Sequence, residues 1–270
     1  MTDADARSQW VKRPAAATEG TNCPLEEYQA LYARSIEDSD AFWAGQAQRL
    51  DWITPPKTVA NWSYDPVSIK WFEDGALNIC PNAVDRHVAA GHGERLALIF
   101  EPDDPAGEVR RITYAELRAE VIRMANTLKA MGVAKGDRVG VLPPNCVEFE
   151  IAFFGIIKAG AVATTVNSGY REREITAQLN ASGTRLLIVH RSLIEMAELA
   201  AKDAPNLRHT IVIQEGAADT ASFWGLIANA SGTDPHVDVD PANDLAALPF
   251  SSGTTGLSKG VMLTHANLQS

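Results

Sequence analysis

Apolar residues recur at two spacings along this chain, and the alternation between them predicts its regular elements. After residue 110, short apolar runs alternate with longer segments in which apolar positions return every three or four residues. The short runs predict strands and the longer segments predict helices. The predicted strands cover 138–142, 161–166, 186–190, 210–214 and 245–250, and the predicted helices cover 147–158, 172–180, 193–201 and 221–230. This order predicts an α/β fold, a parallel sheet with helices on both faces.

A further helix is predicted before the first of these strands. Thr113 and Glu116 have the spacing of a capping box, which marks a helix start. Gly132 is a typical residue just beyond a helix end. Between them, one face of the predicted helix is apolar and contains Leu117, Val121, Ile122, Ala125, Leu128 and Met131.

The chain before residue 111 lacks this regularity. Residues 1–20 are rich in alanine and polar side chains, and we interpret them as a flexible tail. From 21 to 110, aromatic residues and prolines are dense and long periodic runs are few, apart from a helix predicted at 37–50. We therefore predict an irregular, aromatic-rich N-terminal cap at 21–110, packed on an α/β domain formed by 111–270.

Composition and charge limit the class of protein. The chain has 270 residues, of which 46% are hydrophobic and 21% charged, as in an ordinary globular protein. Its formal net charge of −10 argues against an extended nucleic-acid surface, which needs clustered lysine and arginine. A local phosphate site remains compatible with that charge, because it needs only a few donors.

Cysteine use and targeting signals indicate a cytoplasmic protein. Cys23, Cys80 and Cys146 are odd in number, far apart and outside any C-x-x-C motif, so free thiols in a reducing compartment are predicted. The polar N-terminus has no signal-peptide pattern. The longest apolar stretch, 151–166, is interrupted by Lys158 and is too short to span a bilayer. No transmembrane segment and no nucleic-acid partner are predicted.

The most informative chemistry lies in residues 249–263, which follow the last predicted strand. Glycine lets a backbone turn its N–H groups toward an anion, hydroxyl groups donate to phosphate oxygens, and lysine adds a positive charge. The residues of these types are Ser251, Ser252, Gly253, Thr254, Thr255, Gly256 and Lys259. Ligands bind at the carboxyl edge of the sheet in open α/β folds, so this position favours a polyphosphate-binding loop.

The loop does not have Walker A spacing. Counting from Gly253, the second required glycine falls on Ser258, and Lys259 is followed by Gly260 instead of serine or threonine. A P-loop kinase or ATPase is therefore disfavoured. A Ser/Gly-rich surface linker is the simplest structural explanation, but the location between a predicted strand and an apolar Val-Met-Leu segment argues against it.

The run Ser-Ser-Gly-Thr-Thr-Gly-Leu-Ser-Lys-Gly-Val-Met-Leu-Thr-His at 251–265 resembles the phosphate-binding signature of adenylate-forming enzymes, including acyl-CoA synthetases and aryl-CoA ligases. Ser258 stands where that family usually has proline. The segments 112–117, 135–139 and 158–161 resemble upstream landmarks of the same family.

Different parts of the chain resemble different branches of the family. Residues 30–139 are similar to acetyl- and propionyl-CoA synthetases, and residues 139–270 are similar to aryl- and fatty-acyl-CoA ligases. The acetyl branch usually has an Arg-Gly-Gly run that contacts CoA after the strand ending near His190. Arg-Ser-Leu follows His190 here, which leaves CoA binding in that manner open.

The resemblance implies a two-step reaction. A small-molecule carboxylate attacks the α-phosphorus of Mg²⁺-bound ATP to give an acyl-adenylate and pyrophosphate, and the thiol of CoA then displaces AMP. ATP, Mg²⁺ and CoA are the implied cofactor and co-substrates. The residues implied to hold the β- and γ-phosphates are Ser251, Ser252, Gly253, Thr254, Thr255 and Lys259, with Gly256 shaping the turn.

The resemblance also implies that much of the site lies beyond residue 270. In the family, the adenine, ribose and acyl pockets and the lysine that contacts the adenylate follow this loop. We therefore expect residues 1–270 to be the N-terminal portion of such an enzyme, truncated after the loop, and to be inactive in isolation. No catalytic residue and no metal site are assigned in this span. A non-catalytic remnant that retains a nucleotide-binding loop remains the alternative, and the acid substrate remains open.

Overall fold

Residues 22–214, 221–251 and 258–269 are described by the computed structural model of the protein. The chain divides into two units, which fall within 1–50 and 51–270. The first unit contains helices α1 (Leu25–Glu37) and α2 (Ser39–Ala47), and the Asp38 carboxylate caps α2 by accepting the Ala41 N–H at 3.3 Å. The sequence pattern predicts α2 within 37–50 but not α1, whose sparse apolar stripe stays exposed. That stripe comprises Leu25, Tyr28, Tyr32 and Ile36.

The aromatic-rich segment before residue 114 contains more regular structure than its sequence pattern predicts. It forms two antiparallel hairpins and a short helical region: β1 (Ala60–Tyr64), β2 (Val67–Trp71), a π-helical turn (Pro81–Asp85), α3 (Arg86–Ala89), β3 (Leu96–Phe100) and β4 (Arg110–Thr113). Trp62 lies opposite Ile69, and Phe100 lies opposite Arg110. Strands of four or five residues are too short to give a clear alternation. The division of 21–110 from 111–270, which falls at β4, stays a prediction.

The centre of the second unit is a six-stranded sheet with the order β12-β9-β6-β5-β7-β8. Its strands are β5 (Arg138–Leu142), β6 (Val162–Thr165), β7 (Leu186–His190), β8 (His209–Ile213), β9 (Leu245–Ala247) and β12 (Leu263–Thr264). All pairs are parallel except β12 with β9. The predicted α/β fold with a parallel sheet is therefore confirmed.

Helices cover both faces of this sheet. They are α4 (Tyr114–Ala130), α5 (Val147–Lys158), α6 (Glu172–Ser182), α7 (Ile194–Ala201, after a 3₁₀ turn at Arg191–Leu193) and α8 (Phe223–Ala228), while α9 (His265–Gln269) follows β12. Alternate β7 residues separate two cores: Ile188 packs with α4, α5 and α8, and Leu187 packs with α6 and α7.

The local signals at α4 and α5 have clear structural causes. Thr113 and Glu116 form the predicted capping box, with the Glu116 N–H donating to Thr113 Oγ1 at 3.2 Å and the Thr113 N–H donating to Glu116 Oε2 at 2.8 Å. Gly132, just beyond α4, has a φ of +79°, which glycine adopts readily. A Cβ at Gly155 would collide with Met124, so this glycine lets α4 and α5 approach closely.

Candidate functional site

The candidate phosphate loop begins and ends in a short antiparallel pair, β10 (Phe250–Ser251) and β11 (Lys259–Gly260). Ser251 lies directly opposite Lys259, and both residues are exposed. The structure thus brings together these two of the predicted phosphate ligands. The others fall outside the described residues: Ser252, Gly253, Thr254, Thr255 and Gly256. Ser251, Lys259 and the residues between them are called the loop tip below.

The base of the hairpin is tightly packed. A Cβ at Gly260 would lie 3.2 Å from Leu248 Cδ1 and 3.2 Å from Phe250 Cζ, so a larger residue would displace the Phe250 ring. The Val261 N–H donates to the Pro249 carbonyl at 2.8 Å and closes the pair. Because proline has no N–H for a ladder, the strand predicted at 245–250 divides at Pro249 into β9 and β10.

The sheet places Ser251 and Lys259 near an edge that is typical of ligand binding. The chain enters the tip soon after the carboxyl end of β9, which runs parallel to β6. It returns through β12, which pairs antiparallel with β9 on the other side. Both arms of the loop are therefore attached to one strand, at the sheet edge where open α/β folds bind ligands.

Two buried polar side chains hold the arm that enters the loop. The Leu248 N–H donates to the Ala163 carbonyl at 2.8 Å, and the Leu248 carbonyl accepts the Thr164 hydroxyl at 2.8 Å. Gln178 Nε2 in turn donates to Thr164 Oγ1 at 3.2 Å and to the Thr165 carbonyl at 2.9 Å. Thr164 is 0% exposed and Gln178 is 2% exposed, so these bonds are shielded from water.

The other arm is held around Asp244 and His265. The Asp244 carboxylate accepts Lys135 Nζ at 2.7 Å and the Asp240 N–H at 2.7 Å, and its backbone carbonyl accepts the His265 N–H at 3.3 Å. Burial alone would raise the pKa of Asp244, but the hydrogen bonds from Lys135 and the Asp240 N–H, together with the charge of Lys135, outweigh burial and lower that pKa. His265 is buried, and desolvation lowers its pKa to about 4, so its ring is neutral near pH 7. We call Thr164, Gln178, Asp244, Leu248 and His265 the loop root.

The sequence alone predicts no role for Thr164 or Gln178 in the loop root, although it contains one signal for each. Gln178 follows Ile175 by one helical turn and precedes Leu179, so a polar residue interrupts the apolar face of α6. Thr164 is likewise a polar residue at a fully buried position of its strand, β6. Such positions are usually hydrogen-bonded when they are buried. Only the fold shows that their partner is the loop entry.

Two of the upstream family landmarks have structural roles in this fold. Lys135 pairs with Asp244 in the loop root. In the segment 158–161, Lys158 Nζ lies 3.0 Å from Asp85 Oδ2 and 3.0 Å from Asp234 Oδ2, and its side chain is 8% exposed. These three side chains line a cleft. These charges are paired with one another, so Lys158 has a structural partner set within the fold.

The described residues contain few other reactive groups. Burial raises the pKa of Cys80 and of Cys146 to about 12, so both remain protonated thiols, and all three cysteines are free. Within 22–214, 221–251 and 258–269, histidine, cysteine, aspartate and glutamate do not gather in a group of three that could hold a metal ion. None of the helices described is long and apolar enough to cross a membrane.

Comparison with known families identifies the class. The AMP-binding enzyme family matches residues 85–270, and the acetyl-coenzyme A synthetase N-terminus family matches residues 28–83. The first match covers more than half of the chain. This chain therefore belongs to the AMP-binding enzyme family.

Individual relatives agree with this assignment. The chain is 35% identical to the acetyl-coenzyme A synthetase of Pseudoalteromonas atlantica, covering 93% of this chain and 41% of the relative. It is 36% identical to that of Methylobacterium radiotolerans, covering 94% of this chain and 42% of the relative. Among solved structures, it resembles an anthranilate CoA ligase in complex with anthranoyl-AMP, with a TM-score of 0.63, 31% identity, and coverage of 70% of this chain and 35% of that chain.

These matches confirm the resemblance inferred from sequence, to acyl-CoA synthetases and CoA ligases. The chain spans about two fifths of the length of these curated relatives, and 41% of the Pseudoalteromonas atlantica protein. Their printed activities describe the relatives, whose sequences are longer.

Proposed function

We propose that this chain is the N-terminal portion of an ATP-dependent acyl-CoA synthetase. Such an enzyme converts a carboxylate and ATP to an acyl-adenylate and pyrophosphate, and then forms a thioester with CoA. One observation carries the proposal: a loop with the family signature leaves the sheet beside the carboxyl end of β9, with Ser251 and Lys259 facing each other at its open end. The family membership and the relatives named above support the same reaction class.

The described part of the loop tip suits a polyphosphate. Ser251 supplies a hydroxyl donor and Lys259 a mobile positive charge, and both are exposed to an incoming ligand. In the first half-reaction, negative charge grows on the departing pyrophosphate, and donors aimed at that charge stabilise the transition state. Mg²⁺ would arrive bound to the ATP phosphates and would share in neutralising that charge. Ser252, Gly253, Thr254, Thr255 and Gly256 remain predicted ligands.

The acid and the thiol are proposed only by class. A small carboxylate is the proposed substrate, and CoA is the proposed acceptor because relatives of both kinds are named for CoA chemistry. The turn after β7 is a 3₁₀ turn in which the His190 Nδ1 and Ser192 Oγ atoms lie 2.8 Å apart. These side chains contact each other, and CoA binding at this turn stays a prediction. The cytoplasmic location also stays a prediction.

We further propose that residues 1–270 bind MgATP but do not complete the reaction alone. This proposal rests on the coverage of the relatives, in which this chain accounts for 41% of the sequence. A non-catalytic remnant would also bind MgATP. MgATP binding therefore tests the proposed role of the loop, and turnover tests whether the chain is catalytically active. Pyrophosphate exchange catalysed by the 270-residue chain would contradict the proposed inactivity.

The loop is tested by titrating MgATP into the 270-residue chain. Replacing Lys259 by glutamine removes one positive charge from an exposed site, and we expect MgATP to bind about tenfold more weakly. Lys202→Gln is the matched control, since Lys202 is an exposed lysine beyond α7. The proposal fails if the wild-type chain does not bind MgATP, or if both variants bind it equally.

A further inference from the structure

His265 is almost completely buried although it follows soon after the exposed Lys259. The residue is 2% exposed, and its Nδ1 accepts the Ile79 N–H at 3.3 Å. This bond connects positions that lie 186 residues apart in the sequence. It is therefore a tertiary contact between the arm leaving the loop and the segment that precedes α3.

The backbone of His265 is attached to the other arm of the loop. Its N–H donates to the Asp244 carbonyl at 3.3 Å, directly before β9, and the next N–H, of Ala266, donates to the Pro241 carbonyl at 2.8 Å. His265 thus contacts the entry arm at Asp244 through its backbone, and it contacts Ile79 through its side chain. A displacement of Ile79 would act on the point where the two arms of the loop meet.

The segment around Ile79 is itself held in place by two asparagine side chains. The Cys80 N–H donates to Asn78 Oδ1 at 3.1 Å. Asn82 accepts the Asp51 N–H at 2.9 Å through Oδ1, and its Nδ2 donates to the carbonyls of Asp51 at 2.8 Å and of Asn78 at 3.1 Å. The Ile79 N–H therefore belongs to a network that extends back to Asp51, and His265 accepts a bond from a constrained donor.

A neutral imidazole is the form that can make this bond. Nδ1 accepts only when it carries no proton, so the donor from Ile79 assigns the ring proton to Nε2. Desolvation holds the pKa of His265 at about 4, well below the physiological range. The charged groups that act on the ring are Asp244, which favours protonation, and Lys135, which opposes it. The acceptor is therefore present at neutral pH.

We propose that His265 is a positioning residue that couples residues 51–82 to the geometry of the phosphate loop. The inference rests on the proposed role of the loop in binding MgATP. In this arrangement residues 51–82 contribute to phosphate affinity without contacting the nucleotide. They do so because the bond from Ile79 fixes the position of His265, which follows the arm that leaves the loop. The side chain acts through the backbone of the loop root and contacts no reacting atom.

The experiment compares two substitutions in the 270-residue chain. In His265→Asn, the Oδ1 atom can occupy a position similar to Nδ1 and accept the Ile79 N–H, whereas His265→Leu leaves that donor without its acceptor. With MgATP as the titrant, we expect His265→Leu to weaken binding about fivefold and His265→Asn to stay within about twofold of wild type. Ile227→Val, a buried substitution on α8, controls for general loss of stability and should leave the affinity unchanged.

A second readout does not depend on the nucleotide. Amide hydrogen exchange is followed at Ile79, which reports the bond to His265, and at Val261, which reports closure of the hairpin base. We expect exchange at both amides to be faster in His265→Leu and close to wild type in His265→Asn and Ile227→Val.

The outcomes separate this inference from the proposed function. If wild type binds MgATP and His265→Leu binds it equally well, or if His265→Asn is as weak as His265→Leu, the positioning role is overturned. If wild type does not bind MgATP, the proposed function fails, and the exchange data still decide the coupling. Unchanged exchange at Val261 in His265→Leu would show that Ile79 and the loop are not coupled.

Discussion

The described ends of the loop tip and the loop root differ in exposure and in hydrogen bonding, although both belong to the same loop arms. At the tip, Ser251 and Lys259 are exposed at the ends of two-residue strands. At the root, Thr164 and Gln178 are buried and joined by hydrogen bonds to the loop entry. Ser251 and Lys259 present a hydroxyl group and a positive charge at the surface, and the root residues hold the backbone of the loop arms.

This difference separates binding from stability. An exposed side chain that ends in water contributes little to folding, so its replacement should change ligand affinity more than the free energy of unfolding. A buried polar residue contributes mainly through the cost of leaving its partners unsatisfied. The following substitutions test whether the two regions divide these roles.

The largest effect is expected at Thr164. Replacing it by valine preserves shape and β-branching but leaves the Leu248 carbonyl without its hydroxyl donor and Gln178 Nε2 without one acceptor. We expect the free energy of unfolding to fall by about 2–3 kcal/mol, since buried polar groups that lose their partners bear the full desolvation cost. Urea unfolding of the 270-residue chain measures this change.

Thr165→Val is the matched control for that measurement. Thr165 is the next residue in the same strand and is half-buried, and its hydroxyl makes no hydrogen bond with the part of the chain that the structure describes. Its replacement should change the free energy of unfolding by less than about 0.5 kcal/mol. Equal losses in the two variants would mean that the hydroxyl bond to Leu248 is not what stabilises the root.

The contrast also explains what the sequence could predict. Strands β5 to β8 and their helices are visible as alternating apolar runs, because a parallel sheet is buried on both faces. The tip is visible because its glycines, hydroxyl groups and lysine form a dense local motif. Both signals are local in the chain, and the fold they predict is confirmed.

The root could not be predicted in the same way because its partners are distant in sequence. Thr164 meets Leu248 across 84 positions, and His265 meets Ile79 across 186 positions. Its residues are ordinary when read locally, and the histidine suits a helix start, where the structure places it. Short hairpins such as β1–β2 are not predicted for another reason: five residues with an exposed apolar face give no buried alternation.

An intermediate effect is expected from the pH dependence of His265. The pKa of this residue is about 4 in the folded chain, against 6.5 for the unperturbed side chain, so the unfolded chain takes up the proton first as pH falls. The stability associated with the neutral ring is fully present above pH 6.5 and is lost as pH falls toward 4. Between about pH 7 and about pH 5, we expect wild type to lose about 2 kcal/mol more than His265→Asn in urea unfolding.

The control for this measurement is His209→Asn, which makes the same replacement at an exposed histidine in β8. That variant controls for the histidine-to-asparagine replacement itself, because His209 is exposed in the folded chain. Parallel pH profiles for wild type and His265→Asn would mean that burial does not hold His265 neutral. The contrast between the buried His265 and the exposed Ser251 and Lys259 would then lose its electrostatic support.

The smallest effect is expected at Ser251, where the tip should show the opposite behaviour from the root. Alanine removes one hydroxyl donor from an exposed position, so the free energy of unfolding should stay within about 0.5 kcal/mol of wild type. MgATP should bind about twofold to threefold more weakly, because one exposed hydroxyl donor contributes modestly beside the charge of Lys259. Ser68→Ala, at an exposed serine of β2, should change neither quantity. If Ser251→Ala destabilised the fold without weakening MgATP binding, this serine would belong functionally to the root, and the boundary between the two regions would move to the far side of β10.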